Sequence, residues 1–506
     1  MPPAEDVGRQ VRRGISWNLA GAVTTNAIRL LVVAVLGRAL TSADFGVVAA
    51  AISVNVVLFG IRDIGIGRAL IQRKQLDDGH LTTTFAVSTY LGLGVTVLLC
   101  ATAPLLGRFF NIPASVNVIR ALAVLFTLRG ITSTSRMMCE REMNFHAIAI
   151  IDAVSFALGS AASMISAVSG AGPWALVLGY VVEEVVSTVA YLVVRPPKVS
   201  LRIDRARLGE LMSFGTGQSI TQITGVLATY GDNFVVGNTL GADALGFYTR
   251  AYDLIKLPSF VFEAVVGKVL FPAFSRIQDD HARLALVLRR VKFANALVLL
   301  PASTGLIVLA PEVIRILVGA GWDSTVLPLR ILAVTVLPRT SQKLSAIIAQ
   351  AAGKTNAVAS AYTIYMVVVI GGAAIASRWG IAGVAASTAI AIIVVYSLST
   401  YIALQVCGLA VRKLVHAHLP GLLLSGLLAA VTLPVAHALR AAGSSPALVL
   451  LTVTAAGLIA YFCAVALWLR TNRSGDFGWL AKELDRFRRS RRVPLPARDP
   501  GAPDHH

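Results

Sequence analysis

The chain of 506 residues is 56% hydrophobic and only 14% charged, with a mean hydropathy of +0.73, which excludes a soluble globular protein. The formal net charge of +19 would suit a nucleic-acid-binding protein, but in a membrane protein basic residues mark the cytoplasmic loops. Short alternating strands of the outer-membrane barrel type are missing from the sequence, so we expect an all-α, polytopic membrane protein.

A helix needs about 20 apolar residues to cross a bilayer, and the sequence contains fourteen stretches of roughly this length. The predicted transmembrane helices are 15–37, 45–62, 83–106, 115–136, 147–169, 173–194, 212–234, 245–272, 291–310, 326–348, 357–377, 381–404, 418–438 and 446–469. Arg9, Arg12 and Arg13 precede the first stretch, and because no convincing small-residue cleavage site follows, we expect it to be retained as a span.

Basic residues divide unequally between the two sides that this assignment defines. Connections on one side carry Arg68, Arg73, Lys74, Arg141, Arg195, Lys198, Arg202, Arg205, Arg207, Arg276, Arg283, Arg289, Arg290, Lys354, Arg412 and Lys413. Connections on the other side carry Arg38, Arg108, Arg315, Arg378 and Arg440. Since the basic side of a multi-pass protein faces the cytoplasm, both termini are predicted to be cytoplasmic.

An internal repeat relates two halves of the apolar region. RALTSADFGV at 38–47 matches NTLGADALGF at 238–247, and IRALAV at 119–124 matches LRILAV at 329–334, offsets of 200 and 210 positions. Six predicted helices separate each helix from its partner, and because six is even, both copies insert with the same polarity. We therefore predict two parallel six-helix lobes around a central cavity, plus a C-terminal helix pair.

This organisation predicts four parts: an N-lobe with helices 1–6 (1–200), a C-lobe with helices 7–12 (201–410), helices 13–14 (411–470) and a cytoplasmic basic tail (471–506). In the tail, Phe477, Leu480, Leu484 and Phe487 fall on one helical face, which is typical of an interfacial helix on the anionic inner leaflet. A solvated basic tail fits the same composition. From Val493 onward, Pro, Gly and Asp predict disorder.

Motifs of common enzymes are missing from the sequence. It has no GxxxxGK[ST], HExxH or GxSxG, and its four cysteines have neither metal-ligand nor CxxC spacing. Glu183 and Glu184 are adjacent, and adjacent helix positions point about 100° apart, so they do not form a facing acid–base pair. Because no connection could hold a catalytic domain, we expect no enzymatic activity, no cofactor and no metal.

Charged residues occur where a bilayer makes them costly. Those inside or near the ends of the predicted spans are Arg29, Asp63, Arg120, Arg129, Asp152, Asp232, Arg250, Asp253, Lys256, Glu263, Arg330, Arg339 and Lys343. Insertion scales put a central Arg or Asp at roughly 2.5 to 3.5 kcal/mol, so these side chains should face a water-filled interior.

Four arginines are the candidate substrate-binding residues. Arg29 lies about 12 Å from the outer end of the first span, Arg250 is near the outer part of the eighth, and Arg120 and Arg330 occupy the same place in the two lobes. A cavity lined by guanidinium groups would bind phosphate or pyrophosphate bidentately. Alternatively, Arg120 and Arg330 extend to the headgroups, and Arg250 pairs with Asp253 three residues on.

Two prolines fall in the middle of predicted spans next to the expected cavity. Pro258 in the eighth span and Pro338 in the tenth each remove a backbone hydrogen bond and favour a kink. Such kinks are either moving parts of alternating access or static bends.

Four segments resemble the oligosaccharide and polysaccharide flippases of the multidrug/oligosaccharidyl-lipid/polysaccharide exporter superfamily, of the exopolysaccharide and lipopolysaccharide type. They are GRALTSADFGVVA from Gly37, Asp232 with NTLGADALGFYTRAYDLIKLP from Asn238, VVGKVLFPAFSRIQDD from Val265 and LAPEVIRILVGAGWDSTVLPLRILA from Leu309. The resemblance covers most of the first twelve predicted spans.

The resemblance implies a flippase of the bacterial cytoplasmic membrane that moves an undecaprenyl-pyrophosphate-linked oligosaccharide to the outer leaflet. It implies a central cationic cavity between two six-helix lobes, membrane lipids as surroundings, and polysaccharide polymerase or export proteins as further partners, with no nucleic acid. In similar lipid II flippases, arginines of the first and eighth helices serve the cavity, and Arg29 and Arg250 lie in the corresponding helices. Without a nucleotide site, a gradient, the membrane potential or consumption of product must drive transport. Asp232, Asp253 and Glu263 are then candidates for proton or cation coupling.

Two other classes of protein are alternatives to this interpretation. A cation-coupled drug antiporter would share the superfamily fold, but its substrates are usually cationic, and the cavity arginines outnumber the acids. A polysaccharide polymerase or ligase would need a large external loop with catalytic residues, and no predicted outer loop is long.

Overall fold

The computed structural model of the chain describes residues 28–62, 76–212, 216–275, 281–471 and residue 478. Throughout these ranges the regular structure is helical, with no β-strand, which confirms the predicted all-α class. Nine helical stretches within them are long and apolar enough to cross a membrane. The protein is therefore a multi-pass membrane protein.

The described residues up to 194 form six helices, which we call the N-lobe. They are α1 (residues 28–39), α2 (Ser42–Arg62), α3 (Asp78–Phe109), α4 (Ser115–Arg141), α5 (Phe145–Val168) and α6 (Pro173–Val194). Local sequence sets their starts: the Asp77 side chain accepts from the His80 backbone N–H at 2.9 Å, and Pro173 opens α6, where its missing N–H is harmless.

The described residues from 205 onward form both short and long helices. These are α7 (Arg205–Met212), α8 (Thr216–Ser275), α9 (His281–Val308), α10 (Ala310–Leu317), α11 (Val326–Ala333), α12 (Val336–Ala351), α13 (Thr355–Ala376) and α14 (Gly380–Cys407), followed by α15 (Val411–Ala441) and α16 (Pro446–Thr471). We call α8 to α14 the C-lobe.

The predicted spans around α8 and α12 can be compared with the helices observed. The seventh and eighth spans, 212–234 and 245–272, correspond to the two halves of α8, which meet at Gly241, where the backbone leaves the helical region (φ 83°). Tyr248 donates to Asp232 at 2.6 Å across this break, whereas residues 16 apart in a continuous helix would lie about 24 Å apart, so the two halves lie side by side. The tenth span is split into α11 and α12 at residues 334–335. Pro338 explains this position, because it lacks the N–H that would bond to the carbonyl of Val334.

The nine candidate spans leave the predicted count of fourteen unconfirmed. They include 355–407 as one stretch of 53 residues, although α13 and α14 are separated there by Gly380 with φ 68°. They include neither α8 nor α12, which carry the charged residues described below. The expected N-terminal span before residue 28 and the expected interfacial helix of the tail lie outside the described residues.

The two lobes are joined where α2 runs antiparallel to the first half of α8. Along this contact Asn233 donates to the Ser53 hydroxyl at 3.0 Å, and Gly60 lies against Val226. At one end, a Cβ on Gly46 would overlap the carbonyl oxygen of Ala242. Only glycine allows so close an approach of two backbones.

The same contact occurs a second time with the roles of the lobes exchanged. A Cβ on Gly246 would overlap the carbonyl oxygen of Ser42, which matches the Gly46 and Ala242 contact shifted by 200 positions in each partner. Such reciprocity is what a twofold relation between the repeats requires. It supports the parallel lobes predicted from the repeat in the sequence.

Further hydrogen bonds join the lobes at this end of the bundle. Together with the Gly46 and Gly246 contacts, the bonds described next form what we call the interlobe seam. The Trp322 indole N–H donates to the Gly37 carbonyl at 3.0 Å, and Arg38 donates to the Ile316 carbonyl at 2.6 Å. Ser42 donates to Asp243 at 2.5 Å. The Trp322 ring lies between Phe45 and Phe247, with centroid distances of 5.4 and 5.6 Å.

Helix α15 is held to the C-lobe by a bidentate ion pair. Arg440 of α15 donates to the two carboxylate oxygens of Glu312 in α10 at 2.8 and 2.7 Å, and also to the Val308 carbonyl at 2.7 Å. The Glu312 side chain is only 6% exposed, so this pair is better shielded from water than a surface ion pair.

Candidate functional site

A cavity of about 180 Å³ lies between the lobes, next to the interlobe seam. The N-lobe contributes residues of α2 and α6, among them Phe45, Ser53 and Tyr180, and the C-lobe contributes both halves of α8. We call it the central cavity. It lies where the sequence repeat predicted a cavity at the pseudo-twofold axis.

Three charged side chains of α8 line the central cavity at helical spacing. Arg250 bonds to Asp253 at 3.0 Å, and Lys256 bonds to the other oxygen of the same carboxylate at 2.8 Å. Residues three apart lie on one helical face, so the sequence RAYDLIK places all three together. One acid shared by two bases leaves a net positive charge.

Arg250 is held in place by an aromatic ring of the opposite lobe. Its guanidinium carbon lies 4.2 Å from the ring centroid of Phe45, and its side chain is 20% exposed. The buried Nε of Arg250 has no hydrogen-bond partner among the described residues. Cation–π contact and the Asp253 ion pair therefore orient the guanidinium at the cavity wall.

A second, larger cavity of about 490 Å³ adjoins the first one within the C-lobe. It lies between the first half of α8, α12 and α13, and Thr229 and Tyr230 line both cavities. We call it the C-lobe cavity. Arg339 of α12 lines it, donates to the Tyr252 hydroxyl, and lies 4.5 Å from the centroid of the same ring.

Arg29 lies on the N-lobe and does not line the central cavity. It is exposed, and its guanidinium carbon is 5.6 Å from the ring centroid of Phe156. Its charge acts on Glu183, which lies about one turn after the cavity residue Tyr180 in α6. A role in substrate binding stays a prediction for Arg29.

Arg120 and Arg330 make matching contacts away from both cavities. The Nε of Arg120 donates to the Cys100 carbonyl at 3.4 Å, and the Nε of Arg330 donates to the Ile307 carbonyl at 3.1 Å. Each carbonyl is four residues before a proline, Pro104 and Pro311, whose missing N–H leaves it without the usual helical donor. These contacts favour a structural role, and substrate binding by this pair stays a prediction.

The three candidate acids have different surroundings. Asp253 lines the central cavity between its two cations. Asp232 is 1% exposed and accepts hydrogen bonds from Tyr248 at 2.6 Å and Thr388 at 3.3 Å. The side chain of Glu263 lies outside the part of the structure that is described. Ion coupling stays a prediction for all three.

Lys292 was not recognised in the sequence, although it is fully buried in α9. Its ammonium donates to the Ser341 carbonyl and the Thr400 hydroxyl, both at 3.1 Å, and lies 4.4 Å from the Tyr396 ring centroid. A lysine within the apolar ninth span is the feature of the sequence that could have indicated a buried charge. Its position beside Arg289 and Arg290 made it resemble part of a cytoplasmic charge cluster.

An apolar groove lies on the other side of the C-lobe, between α9, α15 and α16. It has a volume of about 290 Å³ and is lined by residues such as Pro301, Leu428 and Val453. We call it the lateral groove. Because its walls are almost entirely hydrocarbon, it suits an apolar chain.

The sequence profile of a family described as polysaccharide biosynthesis protein matches residues 35–327. The lipopolysaccharide biosynthesis protein WzxC of Escherichia coli (strain K12) is 26% identical over 332 residues, which are 65% of this chain and 67% of WzxC. The teichuronic acid biosynthesis protein TuaB of Bacillus subtilis (strain 168) is 23% identical over 352 residues, which are 69% of this chain and 73% of TuaB.

The fold is similar to that of the lipid II flippase MurJ in an inward closed conformation. The TM-score is 0.73, and the alignment covers 90% of this chain and 99% of MurJ at 14% sequence identity. At so low an identity the likeness shows a shared fold.

Proposed function

Because the chain belongs to the polysaccharide biosynthesis protein family, we propose that it is a flippase rather than an enzyme. Its substrate is an undecaprenyl-pyrophosphate-linked oligosaccharide, which it moves across the bacterial cytoplasmic membrane for cell-surface polysaccharide synthesis. Among the relatives, WzxC is a lipopolysaccharide biosynthesis protein and TuaB is a teichuronic acid biosynthesis protein. In this proposal both termini are cytoplasmic, the lobes end near residues 200 and 410, and polymerase or export proteins take over the product.

The observation that supports this function most directly is the cation cluster between the lobes. Arg250 and Lys256 share the single carboxylate of Asp253 in the central cavity, and Arg339 lies in the adjoining cavity. A pyrophosphate carries several negative charges and accepts bidentate hydrogen bonds from guanidinium groups. Arg250 is its first partner in this proposal, and Arg29 adds positive charge on the N-lobe side.

The polar glycan and the apolar prenyl tail of the substrate occupy different surroundings in this proposal. The glycan occupies the hydrated cavities, since each unsatisfied polar group in hydrocarbon would cost several kcal/mol. The prenyl tail stays in lipid and uses the lateral groove. The lobes then rock so that the interlobe seam opens and closes, and the closed seam corresponds to a state open toward the cytoplasm under the predicted topology.

Transport is driven without a nucleotide, and the acids of α8 are the coupling candidates. Asp253 is the more accessible acid, because it lines the central cavity. Its ion pairs with Arg250 and Lys256 must rearrange when an anion binds to these cations. Asp232 lies behind the cavity wall in the Tyr248 and Thr388 network. Binding of a proton or a cation at either acid would bias the two states differently.

A cation-coupled drug antiporter remains the alternative function of this fold. The excess of basic over acidic groups in the central cavity argues against a cationic substrate, and the matching family is one of polysaccharide biosynthesis.

The test is transbilayer movement of a lectin-detectable undecaprenyl-pyrophosphate oligosaccharide in proteoliposomes, compared with empty liposomes. We expect movement by the wild type and at least a tenfold lower rate for Arg250→Gln, since a hydrogen bond to a charged group is worth about 1.5 to 3 kcal/mol. Arg378→Gln, which removes an exposed arginine of the turn Ser377–Trp379, is the matched control and should keep the wild-type rate. Exchange of a cationic dye for protons without glycolipid movement would establish the antiporter instead.

A further inference from the structure

The C-lobe cavity has the lining of a sugar site. It is bordered by two amide side chains, Gln342 and Gln350, and by the tyrosines Tyr230, Tyr362 and Tyr365. Its volume of about 490 Å³ falls in the range, about 300 to 1,000 Å³, that is typical of small-molecule sites. Amides bond to hydroxyl groups, and tyrosine rings offer flat apolar faces to the C–H side of a pyranose.

Gln342 supplies a buried hydrogen-bond acceptor that has no donor among the described residues. Its side chain is 7% exposed, and its Oε1 has no hydrogen-bond partner among the described residues. Buried amide oxygens are nearly always paired, so an unpaired one on a residue that lines a cavity is a candidate partner for a ligand donor. A sugar hydroxyl is such a donor, whereas a fully ionised phosphate has none to give.

The charge of the lining selects among sugars. Arg339 and Lys343 border the cavity, and its described lining residues include no Asp or Glu. The described side-chain hydrogen bond of Arg339 to Tyr252 uses one of the five guanidinium N–H donors. A neutral sugar gains little from the positive charge of Arg339, but a carboxylate accepts strong charge-assisted hydrogen bonds from its guanidinium.

We propose that the C-lobe cavity is a subsite for an acidic sugar, a hexose that carries a carboxylate, within the transported glycan. This inference rests on the proposed function and specifies its substrate class. Because Thr229 and Tyr230 border both cavities, the acidic sugar and the pyrophosphate at Arg250 occupy adjoining chambers of one molecule.

The first experiment measures binding to the full-length protein in nanodiscs by saturation-transfer NMR. The probes are cellobiouronic acid and cellobiose, which differ by one carboxylate. We expect the acid to bind at least tenfold more tightly to the wild type. Gln342→Glu, nearly isosteric but acidic, should abolish that preference, and Lys343→Gln should reduce it at least threefold. Lys354→Gln, a loop lysine outside the cavity, is the matched control.

Equal dissociation constants for the two disaccharides in the wild type would overturn the subsite, as would an undiminished preference in Gln342→Glu. Binding of inorganic pyrophosphate distinguishes a site for a sugar carboxylate from a site for a phosphate group. If Gln342→Glu weakens pyrophosphate binding as much as it weakens the acid, the cavity binds phosphate and the sugar assignment is wrong. Retained pyrophosphate binding also shows that this variant is folded.

Transport of the two disaccharides, each linked to undecaprenyl pyrophosphate, distinguishes failure of the subsite from failure of the function. Movement of neither, together with acid-selective binding, contradicts the flippase function and leaves the subsite supported. Equal movement of both, together with equal binding, contradicts the subsite alone.

Discussion

Asp253 is the single acidic residue between two basic residues of its own helix, and an anionic substrate must compete with it. Asp253→Asn keeps the shape and removes the competing charge. Since partly exposed ion pairs are worth about 0.2 to 1 kcal/mol, we expect pyrophosphate to bind up to about fivefold more tightly. Equilibrium binding to the purified protein measures this, with Asp323→Asn as control, because Asp323 pairs with Arg315 far along the chain in an exposed position. Weaker binding would show that Asp253 positions the cations rather than competing for them.

The ionisation of Asp77, at the start of α3, allows a prediction about stability at low pH. The backbone hydrogen bond from His80, with bonds from the His80 ring and Arg207, lowers the pKa of Asp77 from 3.8 to about 2. Because this pKa is depressed in the folded protein, the stabilising contribution is complete above pH 3.8 and is lost as the pH falls through 2. Carboxyl ¹³C NMR of Asp-labelled protein should give a midpoint near 2.

The same titration of Arg207→Gln should still end below 3.8, since the backbone N–H of His80 remains as the first cause. A midpoint at the ordinary value in the wild type would mean that Asp77 does not cap the helix.

Contacts of single side chains with other helices could not be predicted from the sequence. The equivalence of Arg120 and Arg330 could be read from the repeat, but the carbonyls they bond to belong to neighbouring helices, α3 and α9. The depth of an arginine in a span does not say which neighbour it faces. Arg250 and Asp253 were brought together correctly because helical spacing alone fixes their relation.

At the scale of helices, the glycines of the interlobe seam are the most constrained positions. Gly46→Ala places a methyl group on the Ala242 carbonyl, so α2 and α8 must separate. We expect a lower unfolding temperature and loss of glycolipid movement. Gly94→Ala in α3 is the control, because nothing lies within 4 Å of its added Cβ.

Ala is favoured over Gly in a helix by about 0.5 to 1 kcal/mol, so Gly94→Ala should be as stable as the wild type or slightly more stable. If Gly46→Ala behaved like Gly94→Ala in both measurements, the close approach of the two helices would not be required for transport.

Helix positions followed well from apolar length, and helix breaks followed less well. The break at Gly241 could be predicted, because Gly241 and Asp243 interrupt the apolar pattern, and the two halves of α8 lie side by side there. The split between α11 and α12 has a cause in the sequence, Pro338, but whether a proline bends or interrupts a helix depends on what its neighbours can satisfy.

For the whole molecule, the parallel lobes could be predicted because the repeat and the even helix number both follow from sequence alone. The central cavity followed from them. The C-lobe cavity and the lateral groove did not, since each is formed by a pair of consecutive helices and a third helix far from them in the chain. Their linings become visible only after packing is known.

Alternating access makes a prediction about the lobes as rigid bodies. The side-chain oxygens of Ser42 and Asp243 are 2.5 Å apart across the interlobe seam, so Ser42→Cys/Asp243→Cys should form a disulfide. In a background without the four native cysteines, this cross-link should lower glycolipid movement at least tenfold, and reduction should restore it. The matched control is Thr96→Cys/Thr127→Cys, whose hydroxyls are 2.9 Å apart within the N-lobe. That bond joins α3 to α4 and should leave transport unchanged. Full transport by the oxidised seam variant would show that the seam does not open, and movement of the substrate would then need a path that keeps this end of the lobes together.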